Sequence, residues 1–279
     1  MRIAIVAPST PVGREVAEQV TALAAARHPA AELCFHEQCF LSHRHFAGDD
    51  ETRLRALVEV ANDPGFDAVW FARGGYGSCR IAEAALAQFG DAARAKTWLG
   101  YSDAGYLLAG LYRAGFAEVA HGPMSQDVKR DGGDAAVLRA LAWLVDRDED
   151  ALEPRLDIRP AAAFNIMVLS QLLGTPLQPD LDGHVLLLEE VSEYMYRTDR
   201  SMFHITSNPM VRRVAGIRLG RCSLVPENDP DFGASEEEVV RYWCERSGIP
   251  FLGSADIGHD AGNRVVPFGQ RRLSATERR

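Results

Sequence analysis

Short apolar runs alternate with longer amphipathic stretches through the first half of the chain. Residues 3–7 form a β-branched run closed by Pro8 and predict a first strand entering a turn. Residues 14–26 are rich in alanine with apolar side chains at helical spacing, and predict a helix. A second short strand is expected over 31–35, and a second helix over 50–62, where charged and aliphatic groups alternate on a helical period. The apolar run 67–72 reads as a buried strand and passes directly into Arg73-Gly74-Gly75-Tyr76-Gly77, with a helix predicted over 79–89. Strand 97–101 and helix 104–114 repeat the unit. Strands alternating with helices over short links predict an α/β protein whose parallel sheet is covered on both faces.

The pattern changes at residues 145–163, which carry several acids together with Pro154 and Pro160 and read as a linker or an exposed crossover. Beyond it a helix is predicted over 165–173 and a strand over 185–188, ending in Glu189-Glu190. A helix over 199–207, a strand over 214–219 and a helix over 235–247 follow. The polar tail from Thr276 reads as a frayed end.

Composition narrows the classes of function. The chain has 279 residues, 47% hydrophobic, with a formal net charge of -9. That length and apolar content suffice for two ordinary domains. An acidic chain gains no counterion-release affinity for nucleic acid and is repelled by anionic lipid, so neither nucleic acid nor a membrane is expected as partner. No apolar run approaches a membrane span or the core of a signal peptide. The cysteines, at 34, 39, 79, 222 and 244, are odd in number and include no CxxC pair. A disulfide framework is therefore not indicated, and a reducing compartment, the cytoplasm, is expected.

Gly100-Tyr101-Ser102-Asp103 offers the strongest candidate chemistry. A serine between a strand and a helix sits on a sharp turn, where the following backbone N–H groups can stabilise an oxyanion. The same serine or Asp103 can simply cap the helix, and on this segment alone capping is the commoner role. The glycines after Arg73 permit positive φ and close approach to the backbone, or mark nothing more than a tight turn. No P-loop or dinucleotide fingerprint is present. His36, His43 and His45 cluster in sequence, but their spacing fits no zinc motif. His259 lies in a glycine-flanked loop that could face a cleft, and Glu189 ends an apolar strand, a place that can present a carboxylate or merely an ion pair.

Read in order, these segments resemble the LD-carboxypeptidase family of serine peptidases. The resemblance runs through Ala47-Gly48-Asp49 with Arg53, then Ala72-Arg73-Gly74-Gly75-Tyr76-Gly77, Leu99-Gly100-Tyr101-Ser102-Asp103 and His121-Gly122-Pro123-Met124. In the second half it continues with Leu186-Leu187-Leu188-Glu189-Glu190, Tyr196-Arg197-Thr198-Asp199-Arg200, and Gly258-His259 followed by Pro267-Phe268-Gly269. It implies a nucleophile at Ser102, a base at His259, an orienting carboxylate at Glu189, and an oxyanion hole from the backbone N–H groups of Gly75 and Asp103. Arg73, Asn165 and Arg200 are candidates for substrate contact or structural pairing.

The resemblance further implies a flavodoxin- or Rossmann-like domain over residues 1–150, a linker over 151–160, and a smaller α+β domain over 161–279, with the active site between the domains. No metal and no cofactor are implied. The implied substrate is a cytoplasmic murein tetrapeptide that loses its terminal D-alanine during peptidoglycan recycling, and the implied assembly is a homodimer. The chain departs from the family pattern at Ala162-Ala163-Phe164-Asn165, where a glycine-rich stretch is usual, and at Ala104, where a larger aliphatic is common. Within the family the alternative is an immunity-type peptidase cutting peptidyl-nucleotide amides. Outside it, a non-catalytic ligand-binding protein would leave Ser102, Glu189 and His259 apart.

Overall fold

A computed structural model describes residues 1–269, so the tail from Thr276 lies outside the described residues. The first half supplies strands β1 (Arg2–Val6), β2 (Glu32–Phe35), β3 (Ala68–Phe71), β4 (Thr97–Gly100) and β5 (Val119–His121). They pair in parallel in the order β2-β1-β3-β4-β5. Alternate residues explain why the strands are apolar without a break. Ile3, Ile5, Trp70 and Leu99 enter one buried cluster, with α1 (Arg14–Arg27) supplying Val16, Val20 and Ala24. Ala4, Val6, Val69, Phe71 and Trp98 enter another, on the opposite face. There they meet α2 (Asp50–Asn62), α3 (Ala82–Leu86) and, past the short α4 (Asp91–Arg94), α5 (Gly105–Arg113). A sixth helix, α6 (Gly133–Leu141), joins α1 on the first face.

The second half contributes β6 (Ala161–Asn165), α7 (Ile166–Leu172), β7 (Val185–Val191), α8 (Met195–Ser207), β8 (Gly216–Ser223), α9 (Glu236–Ser247) and β9 (Phe251–Ser254). The second sheet, expected in an α+β arrangement, is parallel throughout in the order β6-β7-β8-β9, each strand joined to the next through one helix. Both halves are thus built from the same strand–helix unit. They share a core: Leu107 and Leu111 of α5 lie in one buried cluster with Phe164, Leu169 and Leu188. Gly105 allows this approach, since a Cβ there would stand 3.0 Å from Val168.

The chain then returns. Strand β10 (Val266–Pro267) pairs antiparallel with β5, Val266 opposite His121, and becomes the edge of the first sheet. Gly269 exchanges backbone hydrogen bonds of 3.0 and 2.9 Å with Ala161 at the start of β6. This strap ties the two sheets together beside the loop that bears His259.

Two expected elements differ. The predicted helix 79–89 is broken into a short turn, Ser78–Arg80, and α3, because Ser78 is drawn to Asp103 by a 2.8 Å bond from its N–H. The stretch 145–163 is not an exposed link throughout: Ala151 and Glu153 are buried, Glu153 N bonds Val265 O at 3.0 Å, and β6 begins at Ala161. Its acids suggested solvent, but the Glu153 carboxylate accepts the N–H groups of Arg155 and Asp256, at 2.7 and 3.2 Å. Among the described residues no helix is long and apolar enough to cross a membrane.

Candidate active site

The parallel strands of the first sheet end on one side, and the loops leaving β1, β3 and β4 converge there. Beyond β4, Tyr101 is extended and Ser102 takes a φ of +58°, a left-handed conformation uncommon for a residue with a Cβ. A short 3₁₀ turn, Ser102–Ala104, then leads into α5. Buried groups hold this turn. The Asp103 carboxylate accepts the Ser78 N–H and the Ser9 hydroxyl, while Ser78 Oγ donates to the Asp103 carbonyl at 2.5 Å. The Tyr101 hydroxyl donates to Asp127 at 2.7 Å. The Asp103 side chain thus clamps the Ser102 turn to its neighbouring loops.

The glycine loop after β3 lies against this turn. A Cβ on Gly74 would stand 2.9 Å from Ser102 Oγ and 3.4 Å from Asp103 N. Gly75 has a φ of +103°, and a Cβ on it would meet Thr10 at 2.6 Å, so glycine is required there by both conformation and space. Thr10 Oγ1 fixes the loop by donating to Gly74 O at 2.6 Å. Gly74→Ala is expected to lower kcat about 100-fold, the scale of a small misplacement of reacting groups. Steady-state kinetics beside a thermal melt check this, since the defect should greatly exceed any loss of folded protein.

Glu189 comes from β7, where the pairing with β8 slips: Leu188 faces Leu219 but Glu190 faces Cys222, so Gly220 and Arg221 together oppose Glu189. Gly220 lets the His259 loop approach, for a Cβ there would lie 2.7 Å from Ile257 O and 3.1 Å from the Glu189 Cβ. The loop is pinned on two sides. Arg221 bonds Asp256 at 2.5 Å and Asp260 at 2.9 Å. Asn263 Oδ1 accepts the Gly258 N–H at 3.2 Å and lies 3.1 Å from His121 Nε2. Because Gly258 N can only donate, the amide oxygen must face His121, which then carries its proton on Nε2. Burial lowers the His121 pKa to about 4, keeping that imidazole neutral.

The structure brings Ser102, Glu189 and His259 together. His259 Nδ1 is 2.6 Å from Glu189 Oε2, and His259 Nε2 is 3.0 Å from Ser102 Oγ. Ionised Glu189 only accepts, so it holds the proton on Nδ1 and leaves Nε2 to receive the serine hydroxyl. Both the histidine and the glutamate are buried, and the Glu189 side chain is fully enclosed. Burial disfavours the imidazolium, but the charge and hydrogen bond of Glu189 outweigh it, raising the His259 pKa above its ordinary value. An imidazole so placed can draw the proton from a hydroxyl and turn it into a nucleophile. A non-catalytic reading, which required these side chains to lie apart, loses its premise.

A cleft of about 450 Å³ opens over Ser102 and His259. Arg73, Gly74 and Gly75 line it, with Arg73 donating to Pro11 O at 2.9 Å. Asn165, a candidate for substrate contact, is not among the lining residues. It caps α7 by accepting from Val168 N at 3.1 Å, and donates to Glu190 at 2.6 Å. Burial raises the pKa of this Glu190 to about 7. Arg200 lies outside the cleft lining too, with its guanidinium over Tyr196. His36 caps a short turn through Nδ1, and no group of three or more potential ligands could hold a metal ion among the described residues. Sequence reasoning missed Asp127, Lys129 and Arg130 on the cleft wall, whose only signal was their position after the His121-Gly122-Pro123-Met124 segment.

Comparison with known proteins covers both halves. Residues 3–122 match the family model of the LD-carboxypeptidase N-terminal domain, and residues 162–272 that of the C-terminal domain. A putative carboxypeptidase of Synechocystis sp. is 29% identical, covering 97% of this chain and 90% of its own. The murein tetrapeptide carboxypeptidase of Pseudomonas aeruginosa is 25% identical, covering 96% and 91%. The crystal structure of muramoyltetrapeptide carboxypeptidase from Oxalobacter formigenes has the same fold, with a TM-score of 0.78 at 22% identity, covering 96% of this chain and 93% of that one. With its two halves matched in order by the two domains of one family, the chain belongs to the LD-carboxypeptidases and is a hydrolase of the serine carboxypeptidase type.

Proposed function

We propose that this protein removes the terminal D-alanine from murein tetrapeptides, with Ser102 as nucleophile, His259 as base and Glu189 as the group that orients it. The observation that carries this reading is the continuous relay from Glu189 Oε2 through His259 to Ser102 Oγ, at 2.6 and 3.0 Å. The similarity to murein tetrapeptide carboxypeptidase supports the choice of substrate.

In the first step Ser102 Oγ attacks the scissile carbonyl carbon while its proton passes to His259 Nε2. Glu189 stabilises the imidazolium, and the backbone N–H groups of Gly75 and Asp103 receive the oxyanion. The intermediate collapses, the C–N bond breaks, and His259 returns the proton to the amine of D-alanine. Water, deprotonated by the same imidazole, then hydrolyses the seryl ester and frees the tripeptide. Residues 1–150 act in this scheme as the nucleophile-bearing domain and residues 161–279 as the base-bearing one, joined by 151–160. Action on peptidoglycan fragments in the cytoplasm, by a homodimer, completes the reading.

Incubation of the pure protein with a defined tetrapeptide, followed by an assay for free D-alanine, tests it. Release of D-alanine and tripeptide in equal amounts is the expected result. Cleavage of an aminoacyl-nucleotide amide run in parallel, with the tetrapeptide left intact, would replace this substrate with the immunity-type one.

A further inference from the structure

The cleft beside Ser102 is basic although the chain as a whole carries a net charge of -9. Arg73, Lys129 and Arg130 line it against a single carboxylate, Asp127. Such a local excess of cations draws an anionic group toward the reacting serine. The three cations are not equivalent. Arg73 is exposed, and its bond is to a backbone carbonyl, Pro11 O. Lys129 is 45% exposed and lies 3.7 Å from Glu15 on α1.

Arg130 is held on two sides by buried groups. Its Nε donates to Asp127 Oδ1 at 2.8 Å, and its Nη2 lies 3.4 Å from the Tyr101 hydroxyl. Asp127 is itself fixed by the Met124 N–H at 2.8 Å and the Tyr101 hydroxyl at 2.7 Å. Tyr101 immediately precedes Ser102, and its ring centroid stands 4.7 Å from that of His259. The guanidinium is thus tied to the residue next to the nucleophile. Neither of its bonds uses Nη1, and about a third of the side chain remains open to the cleft.

We propose that Arg130 is the substrate's carboxylate-binding residue, presenting Nη1 and the outer face of Nη2 to a carboxylate of the peptide. The inference deepens the peptidase reading above and rests on it. A planar guanidinium makes two parallel charge-assisted bonds to a carboxylate, which a lysine cannot. Because Asp127 and Tyr101 already fix its orientation, little side-chain freedom is lost on binding. An enzyme that removes one residue from a chain end needs such a contact, because the end of a peptide differs from its interior by that charge. A murein tetrapeptide offers the terminal carboxylate and, where its third residue is a diamino diacid, a second one on that side chain.

The test compares kcat/KM of the wild type, Arg130→Ala and Arg130→Lys on three peptides. These are the free acid with a diamino diacid third residue, its C-terminal carboxamide, and the free acid with lysine third. Arg130→Ala is expected to lose about 10- to 100-fold on the first peptide, the worth of hydrogen bonds to a charged group. It should lose almost nothing on whichever peptide lacks the carboxylate that Arg130 reads, and that peptide identifies the source. Arg130→Lys should fall between. Labelling of Ser102 by a fluorophosphonate at the wild-type rate reports that the relay is intact in each variant.

Equal losses on all three peptides would make Arg130 merely structural and overturn the proposal, as would no loss on any. Calorimetric binding of the same peptides in a Ser102→Ala background, with and without Arg130, scores the contact apart from cleavage. A wild type that binds these peptides through Arg130 but cuts none would sink the peptidase reading alone, while binding unchanged by Arg130→Ala sinks this one.

Discussion

Ser102→Ala is expected to lower D-alanine release by at least about 10⁴-fold, the scale seen when the nucleophile of such a relay is removed. The fold should persist, because Ser102 contributes little packing: the turn is held by Asp103, Ser78 and Ser9, none of which needs the serine hydroxyl. An unchanged circular dichroism melt with no fluorophosphonate labelling is the expected control. Adding His259→Ala to this variant should cost almost nothing further, since the imidazole has no proton to take once the hydroxyl is gone. Substantial peptide cleavage by the single variant would end the serine mechanism outright.

Glu189→Gln is expected to cost about 10⁴-fold in kcat/KM, by analogy with the loss when the acid of another triad is made an amide. His259 Nδ1 lies 2.6 Å from Glu189 Oε2, and a glutamine can place a donor there instead. That would favour the tautomer with its proton on Nε2, which cannot accept from Ser102. The pH profile separates this cause from a general loss of structure. Activity needs neutral His259, so it falls as pH drops through the pKa of that group. In the wild type the inflection should lie above about 6.5, the ordinary value, because Glu189 favours the imidazolium. In the variant burial is no longer opposed by a carboxylate, and the residual activity should persist to lower pH. An inflection unmoved by the substitution would show that Glu189 does not govern the base.

Much of the first sheet is legible from the chain because its strands are buried on both faces. Runs such as Ala68–Phe71 therefore have no polar interruption, and the glycines that follow mark where the backbone turns. The same signal fails for β6, where Ala161-Ala162-Ala163 has low strand propensity and only its position between β7 and the returning Gly269 makes it a strand. Ser102 could be proposed from its turn, but Glu189 and His259 are 70 residues apart, and periodicity carries no sign that they meet. Ordered family resemblance supplied that pairing. Arg130 stayed invisible for a related reason. Its meaning depends on Tyr101 and Asp127, brought together only when β4 and β5 lie side by side. Asn165 shows the reverse: a polar residue beside an expected site is taken up by the α7 cap and Glu190.

The strap formed by Val266, Pro267 and Gly269 bears on how the molecule comes into being. The free edge of β5 is closed by a strand that leaves the ribosome after β1 to β9, and His259 precedes that strand by a few residues. A nascent chain can therefore pair β1 to β5 before the segment that closes their edge has been made. One short segment then seals that exposed edge, joins the two sheets through Gly269 and Ala161, and follows directly on the loop that bears His259.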